Sequence, residues 1–352
     1  MPSLSPFQIF LILTLVKVAV TISVMLGGVT LTVLLERKLV GRIQNRYGPN
    51  RVGPFGLFQT AIDGVKLFFK EDMTPANVYH PIFLLAPVIA LGCALISIAV
   101  VPFGPALAWR GVSIFQVSDV NVGLLVILGI TSIGVYGIAL SGWSSNNKYS
   151  LLGSVRSSAQ MVSYELALGL SLVGVVLRAR SLSIAQIVSS QSAHGARSWN
   201  FFGGLQFFAF FIYLISAYAE TNRAPFDLVE AENELVGGYH TEYSSIKFAM
   251  FFMAEYANMI TVSCVATLLF FGGASSPFGH LLPSVGGPVV QALLPVGWFV
   301  LKVFFFLCLY IWVRGTLPRF RYDQLMAFGW KWLLPAAMLN IVLTALVYAL
   351  HG

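Results

Sequence analysis

Charge is what this chain has least of. Of its 352 residues, 10% are Asp, Glu, Lys or Arg and 57% are hydrophobic, whereas soluble domains are about a quarter charged and half apolar. A water-soluble fold has nowhere to bury so much apolar surface. Cysteine is equally sparse. Cys93, Cys264 and Cys308 stand singly inside apolar runs, so there is no CxxC pair, disulfide framework or thiolate set for an iron–sulfur cluster, and they read as small packing residues. His80, His194, His240, His280 and His351 all fall outside the apolar runs, which excludes paired imidazoles holding a haem inside the bilayer. No GxxxxGK[ST] phosphate loop and no GxGxxG opening a strand–helix unit occurs. The expectation is a chain with no metal, redox centre or nucleotide of its own.

What it has is lipid-like helix. Stretches of about twenty apolar residues, the length that crosses a hydrocarbon core of ~30 Å, recur at 7–35, 82–101, 120–140, 159–177, 201–219, 246–271, 293–313 and 332–350. The fold class is all-α: one polytopic membrane domain over 1–352 with eight spans. The first run is too long for a signal-peptide core and lacks a basic start and a small-residue cleavage site, so it reads as a retained span.

Loops after the odd spans collect most of the Lys and Arg, including Arg37, Lys38, Arg42, Arg46, Arg51, Arg223, Arg314, Arg319 and Arg321. Those after the even spans hold only Arg110, Arg178, Arg180 and Arg197. Positive residues are retained on the cytoplasmic side, so both termini are expected to face outward. This bias accounts for the net charge of +7 without nucleic acid as a partner. Segment 36–80 then lies on the cytoplasmic side. Within it, Leu57, Phe58, Ala61, Ile62, Val65, Phe68 and Phe69 share one helical face while Gln59, Asp63, Lys66 and Lys70 share the other. At ~1.5 Å per residue this helix is about 22 Å long and suits the membrane interface. It is either an anchor or part of a route by which an amphiphile enters.

The few acids are placed oddly. Glu165 in MVSYELALGLSL and Glu255 in MFFMAEYANMI sit inside spans, where an ionised group costs ~2.5–3.5 kcal/mol and persists only beside a partner, a proton or water. Either a protonated Glu bonds two helices together, or the pair relays protons. Six of the fourteen acids gather in AETNRAPFDLVEAENELVGGYHTEY: Glu220, Asp227, Glu230, Glu232, Glu234 and Glu242. Glu230 and Glu234, spaced i and i+4 on a short amphipathic helix, repel by a few tenths of a kcal/mol. Bound protons, a basic partner or the Arg-rich loops must offset that. Glu36, before Arg37 and Lys38 at the end of the first span, equally fits an ordinary interfacial ion cluster.

Three motifs together, LLERKLVGRIQNRYGPNRVGPFGLFQ, ETNRAPFDLVEAENELVGGYHTEYSSIKFAMFFMAEY and RGTLPRFRYDQLM, resemble one membrane-subunit family of proton-pumping NADH:quinone oxidoreductase, respiratory complex I: the H-type subunits, equivalent to mitochondrial subunit 1. The resemblance runs in order from the first span to the last. It implies a non-redox membrane subunit that forms the quinone chamber with the peripheral arm and couples quinone reduction to proton translocation. Glu36, Arg42, Arg46, Asp63, Asp227 and Arg314 would line the chamber or its entrance, with 220–245 as the acidic chamber loop. Glu165, Glu220, Glu230, Glu232, Glu234, Glu242 and Glu255 would carry the proton coupling. Quinone would be the substrate, with FMN and iron–sulfur clusters in partner subunits and NADH as electron donor to the complex. Peripheral-arm quinone-module subunits, small membrane subunits and lipid would be the partners. The location implied is a bacterial cytoplasmic membrane, with the mitochondrial inner membrane as the alternative. A membrane-bound hydrogenase subunit or a proton-coupled transporter also fits the buried acids, although the inverted repeats of many transporters are missing.

Overall fold

The structure is a computed structural model that describes residues 6–105, 107–109, 112–192, 195–227, 237–278 and 288–351. Its helices are α1 (Pro6–Ile43), α2 (Gln59–Phe69), α3 (His80–Ser97), α4 (Gly123–Ser144), α5 (Lys148–Ala179), α6 (Ile184–Ser190), α7 (Leu205–Glu220), α8 (Ser245–Phe270), α9 (Pro288–Thr316), α10 (Tyr322–Phe328) and α11 (Leu334–His351). A π-turn, Gly329–Leu333, joins α10 to α11. The only strand pairing among the described residues is a short antiparallel bridge, Ala108–Trp109 with Val112–Ser113.

Seven of these segments are long and apolar enough to cross a membrane: Phe7–Ile43, His80–Val100, Gly123–Ser144, Lys148–Ala179, Ser245–Phe270, Val290–Thr316 and Tyr322–Leu350. The remaining expected span, 201–219, is a shorter apolar helix of 16 residues, α7. At 1.5 Å per residue it reaches about 24 Å. The 3-10 turn Asn200–Phe202 and Gly204 at φ +68 take up the residues before it. One histidine differs from expectation: His80 opens α3 and begins the span His80–Val100.

Two helices overrun their hydrophobic segments. The first continues through Glu36, Arg37 and Lys38 to Ile43, because no breaker occurs until Asn45 at φ 56. Residues 36–43 are thus helix, not loop. The other, α5, begins at Lys148, where the Asn147 side chain accepts from the Tyr149 amide at 3.0 Å and satisfies one of the orphan N–H groups of the first turn.

The core centres on α8, which packs on α1, α3, α7 and α9. Every residue from Met259 to Phe270 is buried, and Thr261, Ser263, Cys264, Ala266 and Thr267 keep that helix thin enough for close approach. Amphipathic α2 lies against α1 and α8. Leu57, Phe58, Val65, Phe68 and Phe69 on and beside it are exposed, the apolar face that an interfacial helix turns to lipid.

Candidate functional site: a buried ion cluster and a line of acids

Four chain segments bring charge to one point at the end of the bundle where α1 overruns. Glu36 comes from α1, Arg223 from the turn after α7, Glu255 and Tyr256 from α8, and Arg314 from the last turn of α9. The Arg314 guanidinium pairs with one Glu36 oxygen. The other oxygen receives Arg223 Nη1 at 3.1 Å and the Tyr256 hydroxyl at 3.0 Å. On its far side Arg223 pairs with Glu255, and its guanidinium stacks 4.0 Å over the Tyr256 ring. The Arg223 side chain is only 6% exposed. Burial would discharge it, but Glu255, Tyr256 and Glu36 outweigh this and raise its pKa above the ordinary value. A buried guanidinium fixed between two carboxylates carries the geometry of the site.

On one side of the cluster lies an open cleft of about 700 Å³, lined by Glu36, Arg37, Arg46, Tyr47 and Arg314 among others. Arg42 does not line it but stacks 5.4 Å over Tyr47, which does. Asp63 of α2 holds Arg37 at 2.5 Å and accepts from Gln59 at 3.0 Å. Burial would raise the Asp63 carboxyl, yet the Arg37 and Gln59 hydrogen bonds and the Arg37 charge keep it below its ordinary value. Along another side of α1 runs an apolar groove of about 450 Å³, from Thr21 to Lys38, walled by Ile260 and Cys264 of α8 and Phe299–Leu307 of α9. Apolar and charged recesses thus lie along one helix.

On the inner side Glu255 and Glu220 open onto one small cavity of about 30 Å³ with Asn258, Thr221 and Tyr239, enough for about one water. Glu165 accepts from Ser132 of α4 and belongs to α5, which packs on the helix that carries Glu220. Glu220 and Glu255 share a cavity, and Glu255, Arg223, Glu36 and Arg314 are joined by ion pairs that reach the cleft, with Glu165 on the neighbouring α5.

The remaining expected residues stand apart. Asp227, buried, pairs with Arg319 at 3.1 Å, and Glu242 accepts from Asn147 Nδ2 at 2.6 Å. Glu230, Glu232 and Glu234 fall in 228–236, outside the described residues. Among the described residues no group of three or more His, Cys, Asp or Glu could hold a metal ion. Tyr256, Ser132 and Asn147 were not singled out by sequence, and Arg223 and Arg319 were read only as loop cations. For Arg223 one signal existed, since it is the single base between Glu220 and Asp227.

His240, in the 3-10 turn Gly238–His240, is pushed down to about 4 by burial against the opposing pull of Asp227. Its folded value lies below the ordinary 6.5, so the stability tied to the neutral ring is complete above pH 6.5 and is lost as pH falls toward 4. The thermal midpoint of the detergent-extracted protein should drop by a few degrees between pH 7 and pH 5. In His240→Gln that part of the drop should vanish; an unchanged slope would remove His240 as its source.

A family model described as NADH dehydrogenase matches residues 16–345. The chain is 61% identical to the second H-type subunit of NADH-quinone oxidoreductase from Koribacter versatilis, covering 97% of this chain and 98% of that one. It is 51% identical to the H-type subunit of NADH-quinone oxidoreductase from Leptospira biflexa, over 96% and 94%, and 50% identical to the protein of the same name from Thermomicrobium roseum, over 93% and 94%.

Proposed function

Since this chain belongs to the NADH dehydrogenase family, among the H-type subunits of NADH-quinone oxidoreductase, we propose that it forms the membrane wall of the quinone chamber and converts quinone reduction into proton movement through its buried acids. It is an integral membrane component of a multi-subunit enzyme, and its partners are the other subunits of that complex. Within this reading the chain holds no redox group. NADH, FMN and iron–sulfur clusters act in partner subunits, and electrons reach quinone from the peripheral arm at the open cleft. The short helix α7 completes eight crossings, both termini lie outside a bacterial cytoplasmic membrane, and lipid and small membrane subunits cover the apolar flanks.

The series from Glu220 through Glu255, Arg223 and Glu36 to Arg314 carries this reading, with Glu165 on the adjoining α5 as the next acid inward. A quinone takes up two electrons and two protons to become quinol, and the negative charge arriving before the protons acts on the nearest fixed charges. In the cleft those are Arg314, Glu36, Arg37 and Arg46. Drawing Arg314 toward the reduced headgroup weakens its hold on Glu36. Glu36 then competes more strongly for Arg223, and Glu255 loses part of its counter-ion. A carboxylate deprived of its cation rises in proton affinity, so Glu255 takes a proton from the cavity it shares with Glu220, and Glu220 from the side of Glu165. Asp227, Glu230, Glu232, Glu234 and Glu242 would act as the acidic loop beneath the headgroup, with Asp63 and Arg42 at the entrance.

Glu165→Gln and Glu234→Gln test the proposal, because each keeps size and hydrogen bonding but removes the exchangeable proton. In membrane vesicles both should retain NADH-dependent quinone reduction while protons pumped per quinone fall at least severalfold. Full stoichiometry in both variants would dismiss the relay.

A further inference from the structure

The apolar groove between α1, α8 and α9 ends at a cation. Met25 and Leu34 of α1, Cys264 of α8 and Phe299 of α9 form buried parts of its wall, Leu31, Val300 and Phe304 are exposed, and Lys38 lines it where α1 nears the cleft. From Thr21 to Lys38 the helix rises about 26 Å, most of a hydrocarbon core of ~30 Å, so the groove runs along the bilayer's depth. Interfacial α2 contributes nothing to its wall. The two hydroxyls in the wall are already engaged within α1, Thr21 donating to the Lys17 carbonyl at 2.9 Å and Thr32 to that of Gly28 at 2.7 Å. Along its length the groove therefore offers hydrocarbon contact and no hydrogen bond.

Lys38 is the exception. Its ammonium lies 5.9 Å over the Phe55 ring, and no described residue forms an ion pair with it. The nearby acids are committed elsewhere, Glu36 to Arg223 and Arg314, and Asp63 to Arg37. An occupant that suits both parts has a long apolar body and an anionic end. We propose that the groove seats one acyl chain of an anionic phospholipid, with the lipid phosphate at Lys38. Lysine meets phosphate as a point charge. A neutral quinone gains no charge pairing there, and a zwitterionic lipid brings a cation of its own toward the ammonium. The seated chain braces α1 against α9, the two helices across which Glu36 meets Arg314. The proposal requires that the chain cross a membrane and does not depend on the relay.

The test uses the intact purified complex in phosphatidylcholine vesicles carrying a trace of a lipid with a diazirine midway along one acyl chain, either phosphatidylglycerol or phosphatidylcholine. After illumination, labelled peptides are located by mass spectrometry. The phosphatidylglycerol probe should label the 21–38 and 299–307 stretches about fivefold more than the phosphatidylcholine probe, the ratio given by the ~1 kcal/mol of one lysine at an anionic surface. Lys38→Gln should bring the two yields together, and Val300→Trp, which sets an indole at the exposed rim, should lower both. Equal labelling by the two probes in the unaltered complex, or a preference that survives Lys38→Gln, overturns the proposal. So does displacement of the probe by excess long-tailed quinone but not by unlabelled phosphatidylglycerol, which would give the groove to a quinone tail. If Val300→Trp fails to assemble, Lys38→Gln decides alone.

Discussion

Arg223→Met should abolish NADH-dependent quinone reduction in membranes and sharply lower the amount of this chain found in assembled complex. The side chain lies between Glu36 and Glu255, stacked on Tyr256, and methionine fills its volume without its charge. Two carboxylates are then left in a site built around a cation. Removing one member of a buried ion pair typically costs about 3–5 kcal/mol, and here one guanidinium serves two acids. That is a large part of the ~5–15 kcal/mol by which a folded domain is stable. Arg223→Lys restores charge but not the planar fork, so it can serve one carboxylate well but not both, and it loses the stack. It should assemble and turn over slowly. Adding Glu255→Gln to Arg223→Met removes one orphaned charge and should recover assembly without recovering pumping. If Arg223→Met assembles and reduces quinone at the normal rate, the cluster is not what holds the cleft wall.

How much of this was visible in the sequence follows from how local each cause is. The spans α3, α4 and α8 were legible because burying about twenty apolar residues in lipid is decided within the segment itself. Their ends were not, since hydropathy marks the lipid boundary and not the end of helical hydrogen bonding. That is why α1 runs on to Ile43 and α5 starts at Lys148. The short α7 was overextended for the opposite reason: Phe201 and Phe202 are apolar but form a 3-10 turn ahead of Gly204. Glu165 and Glu255 stood out because a carboxyl in an apolar run needs a reason to be there. Their partners did not. Glu36 meets Arg223 across 187 positions and Arg314 across 278, and no spacing rule reaches that far. Arg223 looked like one more loop cation, although tertiary packing makes it the centre of the site.

Lys302→Met should produce the largest loss of stability away from the cluster. Lys302 stands in α9 and donates to the carbonyls of Phe271 at 2.7 Å, Gly273 at 2.9 Å and Ser275 at 2.7 Å, with Trp199 beneath it at 4.2 Å. These carbonyls belong to the turn that ends α8, where Gly272 and Gly273 take positive φ and carry the chain away from the helix axis. A helix C-terminus carries partial negative charge and unsatisfied carbonyls, and the ammonium answers both as a bound cation would. Hydrogen bonds to a charged group are worth about 1.5–3 kcal/mol each, and losing three at once leaves oxygens that no neighbouring lipid can satisfy. The extracted protein should lose at least several degrees in thermal midpoint, while quinone reduction per assembled complex stays near normal, because the cleft lies at the C-terminal end of α9, beyond Lys302 at its middle. Lys17 offers an internal comparison. It bonds two carbonyls, Ser113 at 2.9 Å and Gln116 at 2.8 Å, and ties α1 to a loop, so Lys17→Met should lower the midpoint less. Equal losses for the two would mean that the cost lies in removing a charge, whereas a larger loss at Lys302 would assign it to the carbonyls that close α8.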